Sequence, residues 1–354
     1  MYRSFRARNY RCFEDLIVEP LERVNLVAGK NNVGKTALLE AVWLHHEYHN
    51  PTLAYVTNLA RGLSRFKPSE FLWELFRNFD PRTKIELSAI HEEGPASTVT
   101  IELPPHRLGH AFADGGTFVK LGDDQRVPQS TVAVVQFTHE VGSDGNKEVY
   151  RAVVGQNGEV VNAQPMGEPT GYFLPAHQAE TMEWLAERTS DLAARRQEAQ
   201  LVNILRIIEP RLKDLRVLQQ AGTPMIWGDL EPDDRLPLPS LGDGMSRLLR
   251  ISVCLQAGKG GLLAIDEIEN GFHYSVMKKV WEAVAVAASD LDVQVFATTH
   301  SEECIRSAHE AFSERENYDF RLHRLEYDNG VIKSVTYDQE ALEFALKSGW
   351  EVRG

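Results

Sequence analysis

The segment Gly29-Lys30-Asn31-Asn32-Val33-Gly34-Lys35-Thr36 decides the reading of this chain. It satisfies the pattern GxxxxGK[ST] in full, with an apolar run before it, Val24-Asn25-Leu26-Val27-Ala28, and a helix-forming run after it, Ala37-Leu38-Leu39-Glu40-Ala41-Val42. A strand, a glycine-rich turn and a helix start present backbone N–H groups and a positive dipole end to an anion. In that setting Lys35 reaches the β- and γ-phosphates of a nucleoside triphosphate such as ATP, and the Thr36 hydroxyl ligates Mg²⁺. Gly29, Asn31, Asn32 and Gly34 line the loop that holds the phosphates. A chance match in a glycine turn would not bring the strand and helix flanks with it.

Composition narrows the class. The chain has 354 residues, 43% hydrophobic and 25% charged, as in an ordinary globular protein with a sizeable core. No run approaches the roughly 18 apolar residues of a membrane span. The start, MYRSFRARNYRCF, has no apolar segment of a secretory signal. Cys12, Cys254 and Cys304 are far apart and form no CxxC pair, which fits a reducing cytoplasm and argues against structural zinc. The net charge of −13 opposes binding nucleic acid through phosphate contacts, so any DNA contact needs a local patch. Arg3, Arg6, Arg8 and Arg11 are the densest basic cluster, and a solvated strand edge explains them equally well.

Along the chain, the first 45 residues read as strand, turn, strand, phosphate loop and helix. From about residue 51 to 80 the pattern is helical, with Phe71, Leu72, Leu75 and Phe76 on one face. KIELSAI, STVTIEL, TVAVVQF and EVYRAVV follow, separated by Glu93-Gly94-Pro95 and Ser143-Asp144-Gly145, and predict an antiparallel sheet. Gln178 to Leu218 reads as helical with a break at Pro210, too short and irregular in its heptads for a long coiled-coil arm. Residues 236 to 302 alternate loop, helix, strand, helix, strand, the rhythm of a parallel α/β sheet. The tail predicts two strands around Asp328-Asn329-Gly330 and a short helix. The expected organisation is therefore one head over 1–354, with a phosphate-loop half (1–80), an antiparallel β region (81–170), a helical lobe (171–235) and a second half (236–354).

Three further segments carry chemistry. The buried strand Leu262–Ile265 ends in Asp266-Glu267. There Asp266 would hold the Mg²⁺ shell, and Glu267 would orient or deprotonate the attacking water. A strand that merely ends in an acidic turn is the alternative for an isolated pair. The run Val293 to Ala297 ends in Thr298-Thr299-His300-Ser301, where His300 can sense or polarise a γ-phosphate; a satisfied structural histidine is the competing reading. Ser240, Gly242 and Gly244 precede an apolar helical run and make a second anion site, used in trans on the nucleotide of another protomer. A plain capping turn would use the same residues. His45 and His49 have zinc-compatible i, i+4 spacing, but the glutamate is misplaced for HExxH and no third ligand is evident, so they read as a solvated helix end.

RNYRCF, NLVAGKNNVGKTALLEA, SLGDGMSRLL, LLAIDEIENGFH and FATTHS, in this order and spacing, resemble the ABC-type ATPase heads of the RecF, chromosome-maintenance and OLD (overcoming lysogenization defect) group. The likeness runs from Met1 to Ser301 and is closest to the OLD-like AAA-type ATPases of bacterial defence operons. It implies an α/β P-loop NTPase fold of ABC-head type, with a mixed sheet, an antiparallel β subdomain and an inserted helical lobe. It also implies a homodimer or higher homo-oligomer closed around ATP and Mg²⁺. Lys35 and Thr36 then take the phosphate-loop role, Ser240, Gly242 and Gly244 the trans loop, Asp266 and Glu267 the Walker B role, and His300 the switch role. SLGDG departs from the LSGGQ of transporter heads, which argues against a transporter subunit. The glutamine that completes the Mg²⁺ shell in such heads has Gln178 as its candidate, with a surface helix-start glutamine as the alternative.

OLD-type nucleases carry a TOPRIM domain after the head. Here 54 residues follow His300, too few for a second α/β domain, and they lack the acidic cluster of a two-metal nuclease. The expectation is a slow cytoplasmic ATPase without nuclease activity, controlling a separately encoded effector, a TOPRIM-type or other nuclease, in anti-phage defence. The alternatives are a RecF-like DNA-binding repair factor and a scaffold that uses ATP only for assembly.

Overall fold

The computed structural model describes residues 1–61, 68–104, 119–121, 125–127, 131–142, 147–155, 160–162, 168–176, 182–220, 222–231 and 234–353. In chain order come β1 (Tyr2–Tyr10), β2 (Phe13–Val18), β3 (Val24–Gly29), α1 (Lys35–His46), α2 (Leu53–Ala60) and α3 (Pro68–Phe71). Then follow β4 (Ile85–His91), β5 (Ser97–Glu102), β6 (Val119–Leu121), β7 (Gln125–Val127), β8 (Thr131–Val141), β9 (Lys147–Gly155) and β10 (Val160–Asn162). Next are β11 (Gly171–Leu174), α4 (Met182–Ala194), α5 (Glu198–Leu205), β12 (Leu212–Gln220), β13 (Thr223–Leu230) and β14 (Arg235–Pro237). The last elements are α6 (Asp243–Ala257), β15 (Leu262–Ile265), α7 (Met277–Asp290), β16 (Gln294–Thr298), α8 (Glu302–Ser313), β17 (Phe320–Asp328), β18 (Val331–Tyr337) and α9 (Gln339–Lys347).

These elements divide into two units. One holds Met1–Leu21, Asn31–Pro169 and Leu325–Ser334; the other holds Glu22–Lys30, Thr170–Arg324 and Val335–Gly354. The expected blocks of sequence are thus interleaved: the chain passes between units inside the glycine-rich loop, after Lys30.

The first unit is built on the sheet β10-β9-β8-β5-β4-β1-β2, antiparallel at each described pairing. In β4, Ile85, Leu87 and Ala89 are buried while Glu86 and Ser88 are less so, the period-2 pattern of a sheet with one face on a core. α1 packs on β1 and β4, and its Leu38, Ala41 and Val42 are buried. One charge on α1 is buried as well. The Glu40 carboxylate meets Arg11 Nε at 2.7 Å and Arg61 Nε at 2.8 Å. Two guanidiniums compensate its desolvation and fix the β1–β2 turn and α2 against α1. Arg3, Arg6 and Arg8 pair likewise with Glu92, Asp15 and Glu86. The basic cluster of the sequence is charge-compensated strand surface.

The solvated-helix-end reading of His45 does not hold. α1 ends at His46, so His49 lies beyond it, and His45 is buried with its ring 2.7 Å from the Tyr2 hydroxyl and 3.3 Å from that of Ser97. Among the described residues no group of His, Cys, Asp and Glu is arranged to hold a metal ion. Burial lowers His45 to about 3 and His46 to about 4, from an ordinary 6.5. In the second unit His323, buried between Asn25 and Thr336, is lowered to about 3 in the same way. The unfolded chain therefore takes up protons below about pH 6.5 that the native histidines refuse. Stability is full above that pH and falls as pH drops toward the native values, by about 1.4 kcal/mol per pH unit for each histidine. Denaturant midpoints measured from pH 7.5 to 5.0, above most carboxylate titrations, should decline steadily; a flat midpoint contradicts the assignment.

The second unit carries the neighbouring strands β11-β15-β16-β3, in that order. β11, β15, β16 and β3 run parallel, with Ile265 opposite Ala297 and Ala297 opposite Leu26. LLAI and VNLVAG are buried at every position, as parallel strands covered on both faces require. Leu248 of α6, Trp281 of α7 and Phe312 of α8 belong to the core around this sheet. Part of the expected helical lobe is not helical. Residues 212–218, read as helical after Pro210, belong to β12, paired antiparallel with β13 in a three-stranded sheet with β14. Leu212, Leu215 and Leu218 have helical spacing, but the turn at Gly222, with φ of 86°, returns the chain and pairing with 223–230 prevails. No helix among the described residues is long and apolar enough to cross a membrane.

Candidate functional site

Parallel pairing of β15, β16 and β3 brings their C-terminal ends to one edge of the sheet, where open α/β sheets bind ligands. Gly29-Lys30 lies past the body of β3, Asp266-Glu267 follows β15, and Thr299-His300 follows β16. The order is held by backbone bonds: the N–H of Thr299 donates to Val27 at 3.1 Å and that of Ile268 to Thr298 at 3.0 Å. Three stretches about 240 and 30 residues apart in sequence thus open on the same side, by the strand geometry of a parallel sheet.

The loop itself has the required backbone. Gly29, Asn32 and Gly34 all have positive φ, at 146°, 64° and 98°, a conformation open to glycine and tolerated by asparagine. Asn31 and Asn32 are exposed; Thr36 is half-buried. Gly34 is the N-cap of α1 and offers no side chain to the first-turn N–H groups. A Cβ there would lie 2.6 Å from the Cys12 sulfur and 2.8 Å from the Phe13 ring. Lys35 is the first residue of α1 and is buried.

The carboxylate segment is held in an uncommon conformation. Asp266 is buried, and its Oδ1 accepts from the Thr298 hydroxyl at 2.6 Å. Glu267 has φ of 46°, a left-handed value that costs a non-glycine residue about 1–3 kcal/mol unless its surroundings hold it. Its N–H donates to Thr298 Oγ1 at 2.8 Å, and its Oε2 accepts from Asn270 at 2.7 Å. The exposed ring of His300 lies 3.8 Å from Glu267 Oε1, and its backbone N–H donates to Glu269 Oε1 at 2.9 Å. Asp266, Glu267 and His300 are thus gathered at one place.

The glycines of the SLGDG segment lie at the start of α6. Gly242, with φ of 96°, is the N-cap of α6, while Ser240 sits exposed in the preceding 3-10 turn, Leu238–Leu241. The first helical N–H groups belong to Asp243, Gly244 and Met245. Gly244 is packed so closely that a Cβ on it would lie 2.6 Å from the Gly271 carbonyl oxygen. Gly244→Ala should therefore force the α6 start away from the 267–271 turn. A drop in thermal midpoint of a few degrees is expected, with slower hydrogen exchange lost in the first turn of α6; unchanged exchange would refute the contact. One turn on, the buried guanidinium of Arg247 donates to the carbonyl oxygens of Asp266 at 2.7 Å and Pro175 at 3.1 Å. Burial lowers its pKa below the usual arginine value.

Thr298, Arg247, Glu269 and Asn270 are site residues that sequence reasoning did not assign. The one sequence signal among them was Thr298, a hydroxyl at the end of an apolar strand. Gln178, the candidate for the Mg²⁺ shell, lies outside the described residues.

Comparison with known proteins bears on this arrangement. Residues 170–306 match the family described as AAA domain, putative AbiEii toxin, Type IV TA system. That span holds the SLGDG, Asp266-Glu267 and His300 segments. A protein of Helicobacter pylori (strain ATCC 700392 / 26695) named ATP/GTP phosphatase is 20% identical over 386 aligned residues, covering 98% of each chain. The crystal structure of an SmcHead bound to the C-winged helix domain of ScpA superposes with a TM-score of 0.50 at 12% identity, over 96% of this chain and 98% of that one. The fold is that of an α/β P-loop NTPase, similar to the ABC-ATPase heads of SMC proteins.

Proposed function

We propose that this chain is an ATP-hydrolysing switch that dimerises around Mg²⁺-ATP and controls a separately encoded effector, a nuclease, in anti-phage defence. The observation that carries the ATPase reading is the common strand-end edge holding Gly29-Lys30, Asp266-Glu267 and His300. Lys35 and Thr36, with the loop residues Gly29, Asn31, Asn32 and Gly34, take the phosphates. Bound Mg²⁺ would neutralise phosphate charge and polarise the scissile bond. Asp266 and the Thr36 hydroxyl would ligate that ion. Glu267 accepts the proton of the attacking water, and His300, 3.8 Å from its Oε1, senses or polarises the γ-phosphate.

The helix start at Gly242–Gly244, which has no side-chain cap, with Ser240 exposed beside it, supports the trans-acting role on a partner's nucleotide. The description of the matched family sets a Type IV TA system beside an AAA domain, and this supports the defence setting. Charge compensation of Arg3, Arg6, Arg8 and Arg11 weighs against the RecF-like DNA-binding reading. The test is phosphate release from Mg²⁺-ATP by the purified chain, with sedimentation measured in ATP and without nucleotide. Hydrolysis together with an ATP-dependent dimer supports the switch. Dimerisation with no hydrolysis selects the scaffold alternative, and absence of both refutes the reading.

A further inference from the structure

We propose that the hydroxyl of Thr298 is the positioning group that sets both carboxylates of the site, a role that rests on the ATPase reading above. Thr298 is fully buried at the last position of β16. A hydroxyl has one proton to donate and lone pairs to accept with. Here the proton goes to Asp266 Oδ1 at 2.6 Å, and a lone pair takes the N–H of Glu267 at 2.8 Å. The Thr298 carbonyl oxygen then accepts the N–H of Ile268 at 3.0 Å. One residue thus engages three consecutive positions on the neighbouring strand end.

The two hydroxyl bonds do separate things. The bond to Oδ1 orients the Asp266 carboxylate, as outer-shell donors orient metal-ligating groups. The bond from the Glu267 N–H holds a backbone at φ of 46°, which a glutamate does not adopt unaided. That conformation turns the Glu267 side chain to where Asn270 and His300 meet it. Glu269 supports the same turn by taking the His300 N–H, so strand ends β15 and β16 are tied in both directions.

Thr298→Val removes the hydroxyl but keeps size, branching and the backbone bond to Ile268. Thr298→Ser keeps the hydroxyl and removes only the methyl group. Two measurements are needed on both variants. The first is hydrogen exchange of the Glu267 amide in nucleotide-free protein, which depends on neither metal nor turnover. It should accelerate at least about tenfold in Thr298→Val and stay near wild type in Thr298→Ser. The second is steady-state hydrolysis. In Thr298→Val, kcat should fall about 10–100-fold and the Mg²⁺ concentration for half-maximal rate should rise about tenfold, with KM for ATP within about threefold. Thr298→Ser should restore both to within about threefold.

Unchanged exchange in Thr298→Val overturns the proposal. So does faster exchange with kcat and Mg²⁺ requirement unaltered, or equal impairment of the two variants, which would assign the effect to packing of the methyl. If Thr298→Val does not fold, the serine variant decides: loss of its amide protection overturns the clamp. A wild-type chain that hydrolyses no ATP would sink the ATPase reading instead, and the exchange comparison would still decide the hydrogen bond.

Discussion

Glu267→Gln is expected to lower ATP hydrolysis about 10²–10⁴-fold while leaving ATP bound. The amide keeps the size of the carboxylate and can still accept from Asn270, but it cannot take a proton. Its backbone bond to Thr298 is untouched, so the left-handed turn at 267 survives. The substitution separates binding from chemistry and should trap the ATP-loaded form, visible as a longer-lived ATP-dependent dimer. Single-turnover phosphate release combined with sedimentation checks both halves of the expectation. A rate within about threefold of wild type would remove Glu267 from the base role, since general-base contributions are far larger than that. The proximity of His300, at 3.8 Å from Oε1, adds a second arm. His300→Ala should reduce kcat less than Glu267→Gln does, because it leaves the base in place.

Lys35→Ala is expected to weaken Mg²⁺-ATP binding by at least about 100-fold, the scale on which losing a charge-assisted contact to phosphate operates. Lys35 is buried at the first position of α1, where the helix start and the ammonium charge address the same anion. Equilibrium titration with a fluorescent ATP analogue measures the loss. Circular dichroism and the thermal midpoint without nucleotide should be nearly unchanged, because the buried apolar residues of α1, among them Leu38, Ala41 and Val42, are untouched. Retained affinity would refute the phosphate-loop assignment. Lost affinity accompanied by a collapsed thermal midpoint would move Lys35 from ligand binding to stability.

Lys35 lies at a glycine-rich turn and helix start, whereas Glu267 lies at a strand end. Signals of these two kinds were unequal in the sequence. The phosphate loop was legible because backbone conformation and residue type are tied there: positive φ at Gly29, Asn32 and Gly34 selects glycine and asparagine. The strand Leu262–Ile265 was legible from its continuous apolar run ending in two acids. Thr298 was passed over because a hydroxyl at a strand end has no meaning until the neighbouring strand is known.

The misread segments have the same physical origin. β12 has apolar residues at helical spacing and becomes a strand through its pairing with β13. His45 looked like a helix-end histidine because its burial comes from Tyr2 and Ser97, 43 and 52 positions away. At the SLGDG segment the backbone adds that Gly242 is the N-cap of α6 and that Gly244 abuts Gly271.

By itself the sequence determined the phosphate loop, the acidic strand end, the terminal histidine and the two kinds of sheet, because these follow from local backbone preference and hydrophobic periodicity. Only the tertiary structure decided which polar groups face one another: Thr298 against Asp266 and Glu267, Arg247 against the Asp266 carbonyl, Glu40 between Arg11 and Arg61. Those contacts join residues far apart in the chain. They exist because parallel strands and packed helices bring distant positions into hydrogen-bonding range, where burial makes each unsatisfied partner costly.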